Sequence, residues 1–186
     1  MIEITSEQIE RIHAMLGGIK DAVPKAIYNI LNRTASAVKS ESSKEVRKTY
    51  KIKRGDLVNN QNVKVEKAGP SKLEAAILFS GNLIPLIKFD VNPKQPQHKI
   101  VSASVLNNSG KKQLLHAYVA DLGKYGVGVF ERETKKRESS KQLYGPSAAH
   151  MVGNDVVLNK IQEVATDTID KRVEHEISRI LKGEQN

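Results

Sequence analysis

The C-terminal segment of the chain restricts the possible folds most. Val157, Ile161, Val164, Ala165, Ile169, Val173, Ile177, Ile180 and Leu181 recur at three- and four-residue steps, which places them on one stripe of a helix. Asn154 or Asp155 can cap its start and Gly183 can end it. A second long pattern lies near the other end. Val23, Ile27, Ile30, Leu31, Thr34, Ala35 and Val38 keep the helical step, and Val46 and Tyr50 resume it after the polar interval 40–43. Asp21 suits a cap and Pro24 a first turn. The spacing predicts one helix from about 22 to 49, on the order of 40 Å long, with the serines as the place for a bend. A rod of that length cannot be buried end to end in a small domain, so part of it is expected to meet another subunit or solvent. A shorter helix comes first: Ile9, Ile12, Leu16 and Ile19 face one way, Thr5 and Gln8 have capping-box spacing, and Gly17-Gly18 weakens the end.

Between the long helices the hydrophobic period changes to two. Residues 63–67 alternate, and 68–71 (Ala-Gly-Pro-Ser) read as a turn. Segments 73–80 and 83–91 are expected to pair around Gly81-Asn82, with Pro85 requiring an edge or an irregular start. Residues 92–98 form a Pro-rich loop, 100–106 alternate, and 107–110 (Asn-Asn-Ser-Gly) turn the chain. Segments 116–122 and 127–133 read as a hairpin around Gly123 and Gly126. Upstream, 51–57 is a basic connector in which Asp56 could cap one short turn. Residues 134–154, rich in Lys, Ser, Gly and Pro, are expected to be irregular. The expectation is an α+β chain, with long N-terminal and C-terminal helices packed on a central antiparallel β-sheet. It forms a single domain over 1–186: a helical arm (1–58), a sheet (63–133), a loop (134–154) and a C-terminal helix (155–182).

Hydrophobic residues make up 39% of the 186 positions but aromatics only 4%, so the core must be aliphatic and thin. Cysteine is absent, which excludes disulfides, thiolate zinc sites and a cysteine nucleophile. That fits folding in a reducing cytoplasm. The first residues lack the features of a signal peptide, and no apolar run approaches the roughly 20 residues of a membrane span. A soluble protein, intracellular when made and without a membrane role, is expected.

No arrangement of residues supports catalysis. His13, His98, His116, His150 and His175 stand at no metal-ligand spacing with one another. Ser36 and Lys39 match S-x-x-K, but the companion motifs of that chemistry are missing. The glycines at 123, 126 and 128 lack the order of a dinucleotide-binding loop and precede no helix, so a hairpin turn explains them better. Glu131 and Glu133 share a strand face but have Arg132, Lys135, Lys136 and Arg137 nearby as salt-bridge partners. The expected protein is not an enzyme and has no catalytic, metal or cofactor-binding residues.

Charge is the stronger signal. Lys and Arg number 30 against 21 Asp and Glu, a net +9. From Lys20 to Arg54 there are ten basic residues against three acidic, and from Lys111 to Lys141 eight against four. From Asp155 onward there are five against seven. Lys48, Lys51, Lys53 and Arg54, with Arg132, Lys135, Lys136 and Arg137, are the candidates for a basic surface that faces DNA or an acidic protein. A solvated face, or the complement of an acidic patch on a neighbouring copy, would need the same residues. Aromatic side chains among these charges are sparse, with only Tyr50 and Tyr125 nearby, against a single-strand stacking surface. No base-reading motif is present.

Several segments, taken in order, resemble the phage minor tail protein Z family. They are Ala22-Val23-Pro24-Lys25-Ala26, then Leu31-Asn32-Arg33-Thr34-Ala35, then Tyr50-Lys51-Ile52-Lys53. The later stretch from Ala117-Tyr118-Val119-Ala120 to Gly128-Val129-Phe130-Glu131-Arg132 is similar to the family's strand pair, and Tyr144-Gly145-Pro146-Ser147 to its loop before the last helix. The chain departs from the family at Glu138-Ser139-Ser140-Lys141-Gln142, where many relatives carry an R-x-P-I-type segment. The resemblance implies a structural virion protein of a tailed phage, made in the host cytoplasm and placed at the tail or neck, where the tail is completed and joined to the head. It implies a ring of identical copies and no cofactor. The implied neighbours are the tail terminator, the tail tube, the head-completion proteins and the packaged DNA. Charge alone would equally suit a small basic nucleic-acid-binding protein of the cell.

Overall fold

In a computed structural model, residues 4–59, 61–123, 126–132 and 139–183 are described. The architecture is α+β, with long helices toward both ends of the chain and antiparallel strands between. The chain folds into two compact units. The first comprises 1–42, 64–78 and 155–186; the second comprises 43–63 and 79–154.

The first unit is built on helices. α1 (Ser6–Leu16) begins at Thr5, whose hydroxyl accepts from the Gln8 N–H while the Gln8 side chain accepts from the Thr5 N–H. This is the expected capping box. α2 spans Ala22–Thr49 and α5 spans Asp155–Gly183, within a residue or two of the stretches that the apolar spacing predicts. Ile12 and Leu16 of α1, Ala22, Val23, Ala26 and Ile30 of α2, and Ile169, Val173 and Ile177 of α5 form one buried cluster. The aliphatic stripes therefore meet one another. The rim of this core is tied by polar contacts: Arg11 to Glu174 at 2.6 Å and Gln8 to Asp170. Both residue numbers rise together, so α1 and α5 run parallel here. The other pattern-bearing part of the unit is β1 (Val63–Glu66) paired with β2 (Ala76–Phe79). The Asn32 side chain makes two 2.9 Å hydrogen bonds to the Ala68 backbone, one donated and one accepted. It thus satisfies a turn peptide that has no ladder partner of its own.

The second unit holds the last turns of α2, a short α3 (Arg54–Leu57) and a series of short strands. β3 (Leu83–Pro85) pairs with β10 (Tyr144–Ser147). After a 3₁₀ turn at Leu86–Lys88, β4 (Asp90–Asn92), β5 (Val101–Ser104) and β6 (Lys112–Leu114) form an antiparallel meander. β7 (Ala117–Asp121), β8 (Val127–Arg132) and β9 (Ser140–Gln142) form another. α4 (Ala148–Val152) is capped by the Ser147 hydroxyl. The β7–β8 hairpin is the one the sequence indicates, with Gly123 and Gly126 at positive φ (61° and 71°) where a side chain would be strained.

Several expectations are corrected. Segments 73–80 and 83–91 do not pair with each other. The Ser80 backbone is engaged elsewhere: its N–H donates to Asn62 O at 2.8 Å and its carbonyl accepts from the Ala149 N–H at 3.0 Å. Gly81-Asn82 therefore does not close a hairpin, and the second segment breaks into β3, the 3₁₀ turn and β4. The expected antiparallel strands between the long helices are present, divided among small sheets in the described residues. Within the stretch expected to be irregular, the described residues 139–154 contain β9, β10 and α4. β9 occupies the very place where the sequence departs from the family pattern. Asp56 is not a cap. Lys53 holds the N-cap position of α3, and Asp56 pairs with Lys88 at 3.0 Å instead. In the polar interval of α2, Ser40 is exposed while Ser42 and Ser43 are buried, at 1% and 2% exposure. Ser42 donates its hydroxyl to the Val38 carbonyl at 2.7 Å.

Candidate functional site: a basic groove in the strand-rich unit

The C-terminus of α2 is anchored by one asparagine. Asn107 Nδ2 donates to the carbonyls of Arg47 and Lys48, both at 2.8 Å, and its N–H donates to Thr49 O at 2.9 Å. These are carbonyls that a helix end leaves without partners. Lys51 N–H then donates to Val105 O at 2.8 Å, and Tyr50 forms a bridge with Leu106. The turn at 107–110 is thus more than a connection between strands, because it fixes where the basic connector 51–54 leaves the helix.

An open groove follows from this anchoring. Arg47, Lys51, Lys53, Lys88 and Lys94 line it, together with Asp90 and the buried ring of Phe89. Asp90 holds two of the surrounding lysines, with Lys111 Nζ at 2.9 Å and Lys51 Nζ at 3.5 Å. The hydrogen bond from Lys111, more than any other influence, keeps the Asp90 carboxyl below its ordinary pKa. Lys94 lays its ammonium on the carbonyls of Phe89 (2.7 Å) and Ile87 (3.1 Å). Burial, and next the charge of Lys53 close by, depress its pKa. Arg47 and Lys53 have no carboxylate partner among the described residues. Asp56 and Asp90 therefore position lysines without neutralising the site. Six cations (Arg47, Lys51, Lys53, Lys88, Lys94 and Lys111) stand against two carboxylates, which makes a surface suited to holding an anion rather than transferring a proton.

Charge is unevenly shared between the units. The first contains thirteen basic and fourteen acidic residues, and the second seventeen and seven. The whole excess thus belongs to the strand-rich unit.

Of the residues singled out in the sequence, Lys51 and Lys53 lie in the groove. Arg54 is exposed on α3 beside Lys53. Lys48 points outward and pairs with Glu45 one turn back. Arg132 sits on the β7–β8–β9 sheet, its guanidinium 5.8 Å from the centre of the Tyr118 ring. Five residues of strand, about 17 Å, separate it from Val127, which reaches the hollow beside Lys53 and Lys88. Lys135, Lys136 and Arg137 lie outside the described residues. Lys88 and Lys94 are additions of the structure. They lie on the 3₁₀ turn and in the Pro-rich loop, far from Lys53 in sequence; Lys88 is tied to Asp56 at 3.0 Å, and Lys94 to the Phe89 and Ile87 carbonyls.

Ser36 and the five histidines lie at the surface, and Glu133 lies outside the described residues. Ser36 donates to the Asn32 carbonyl at 2.9 Å, one helical turn back. All five histidines are exposed. Among the described residues no three metal-ligating side chains converge, and no helix is long and apolar enough to cross a membrane.

No curated protein and no solved structure matches the chain. A family profile does match, over residues 9–183, so that it takes in most of α1, the basic connector, the groove and all of α5. The anchored helix, the basic groove and the parallel helical framework all fall within that span, and the chain belongs to the prophage minor tail protein Z family, a family of structural phage tail proteins.

Proposed function

We propose that this protein completes the tail of a long-tailed phage and helps to join it to the head. It acts as a ring of identical copies, with the groove around Lys53 turned toward a polyanion. The observation that carries the reading is the collection of Arg47, Lys51, Lys53, Lys88 and Lys94 in one groove of a unit with ten more basic than acidic residues. Such a surface is costly to leave unopposed, because like charges repel across the unit. DNA at the tail opening would relieve the repulsion, as would an acidic face of the tail terminator, the tail tube or a head-completion protein. The role is structural and non-catalytic, exercised in the virion after assembly in the host cytoplasm. Lys48, Arg54 and Arg132 add positive charge outside the groove.

The test is reconstitution. Particles made without this protein should accumulate as filled heads and separate tails, and purified protein added to the two should restore joined particles. Joined, infectious particles produced without it would overturn the reading. The same groove also suits a protein that binds free nucleic acid in the cell. That alternative predicts submicromolar binding to DNA by the purified protein, with a steep salt dependence, and no requirement for it in head–tail joining.

A further inference from the structure

The helical unit nearly balances its charges, yet three of its four arginines converge on one place. Arg33 of α2, with Arg172 and Arg179 of α5, lines a recess of about 150 Å³ together with Asn29, His175 and Glu176. Asn29 and Arg33 stand one turn apart on α2, and Arg172, Glu176 and Arg179 follow at four- and three-residue steps on α5, so each set shares a helix face. Glu176 is only 4% exposed, and its charge is answered locally. Its Oε2 accepts from Arg179 Nε at 3.0 Å, Arg179 Nη2 at 2.6 Å and Asn29 Nδ2 at 3.3 Å. These contacts fix Arg179 and tie α2 to α5 at the recess. Arg33 and Arg172 have no carboxylate partner among the described residues. The fourth arginine of the unit, Arg11, is paired with Glu174.

We propose that this recess binds one phosphate dianion, free or as the terminal group of a monoester, between α2 and α5. With His175 neutral, three guanidinium groups against one carboxylate leave two positive charges. A phosphate dianion matches them, whereas a carboxylate or a phosphodiester of a nucleic-acid backbone carries only one negative charge. The recess has about the volume of five waters in the liquid, which suits a single small anion. Guanidinium groups present their N–H donors as a planar fork that fits phosphate oxygens two at a time, and Arg33 and Arg172 offer such forks from different helices. Glu176 acts on Arg179 and not on the anion, since its Oε2 already accepts three N–H groups. Empty, the recess holds three like charges that repel one another; filled, it gains a bridge between α2 and α5 that stabilises the unit by mass action. The inference does not depend on the role in tail joining or on the groove around Lys53.

The full chain is titrated calorimetrically with inorganic phosphate at neutral pH and fixed ionic strength, against a chloride reference. Binding should saturate, and the thermal midpoint should rise with phosphate. Arg33→Gln combined with Arg172→Gln changes two side chains outside the buried cluster. It should keep the helical signal and weaken phosphate binding roughly tenfold or more, through the lost charge-assisted hydrogen bonds. Arg172→Lys keeps the charge but not the fork, and should also weaken it. Lys171→Gln removes an exposed charge next in sequence but outside the recess, and should change the affinity by less than about twofold. Absence of saturable binding beyond chloride, or an unchanged affinity in the double variant, would overturn the proposal. An equal loss in Lys171→Gln would overturn it too, by showing general attraction to positive charge. A nucleoside monophosphate titrated in parallel separates the two sources. Displacement of inorganic phosphate by it, lost in the double variant, supports a monoester terminus as the occupant; binding of inorganic phosphate alone supports the free ion.

Discussion

The helical unit and the strand-rich unit differ in where their buried surface comes from and in what they leave outside. In the first, three helices pool one aliphatic cluster, and the acidic and basic side chains nearly balance. In the second, strands of three to six residues surround small cores such as Phe89 and Val129, and the whole positive excess is found there. Long amphipathic helices can bury much apolar area with few constraints on their outer face. Short strands need turns and cross-chain contacts for the same burial, but those turns can gather side chains from distant parts of the sequence. The difference places the shared helical cluster in the first unit and the positive excess in the second.

The comparison is broken most readily at the helical core. Ile12 is fully buried among α1, α2 and α5, so Ile12→Ala should cost about 2–5 kcal/mol through lost burial and an unfilled cavity. Denaturant unfolding followed by helical signal measures this, and a cost below about 1 kcal/mol would show that the cluster is not the main support. In the strand-rich unit the corresponding insult is overpacking. A Cβ added at Gly145 would come within 2.5 Å of the Phe89 ring, and Phe89 is 1% exposed. Gly145→Ala should therefore destabilise by about 1–3 kcal/mol and disturb the groove that Phe89 lines. Gly18→Ala, where nothing lies within 4 Å of the added carbon, is the control. Thr5→Ala removes the side-chain acceptor of the capping box and should cost about 1 kcal/mol, read as a lower thermal midpoint.

What the sequence reveals follows the same division. The helices are legible because their stripes repeat locally: α1, α2 and α5 need only the spacing of Ile, Leu, Val and Ala, and the Thr5–Gln8 box marks a start. The β7–β8 hairpin is legible because Gly123 and Gly126 sit where positive φ is required. β6, β9 and β10 are not, since Lys112-Gln113-Leu114 and Ser140-Lys141-Gln142 carry no alternating apolar pattern and exist as strands through their partners. The same holds for the site. Lys51 and Lys53 belong to a visible charge run, whereas Lys88 and Lys94 join them through contacts that the sequence does not show, such as Lys88 with Asp56. Asn107 reads as a turn residue, and its capping of α2 depends on a helix that ends some sixty residues earlier.

A smaller effect sharpens the electrostatic side. The depressed pKa of Asp90 means that its ionised form is favoured in the folded protein. Its contribution is therefore present at neutral pH and lost as pH falls below 3.8, the ordinary aspartate value, through the folded-state pKa. Asp90→Asn should lower stability by less than about 1 kcal/mol at pH 7, since the pair is half exposed, and the difference from wild type should vanish in acid. Urea titrations at several pH values measure this, and a gap that persists at low pH would point to packing instead of charge.

The most direct test of the proposed anion-facing role of the basic groove is a charge reversal that spares the fold. Lys53→Glu combined with Arg54→Glu changes two exposed side chains with no carboxylate partners among the described residues, at the start of α3, where acidic groups suit the helix end. Supplied to phage lacking the wild-type protein, the double variant should keep its thermal midpoint and fail to yield joined, DNA-retaining particles. Normal particle yield with retained DNA would contradict the account.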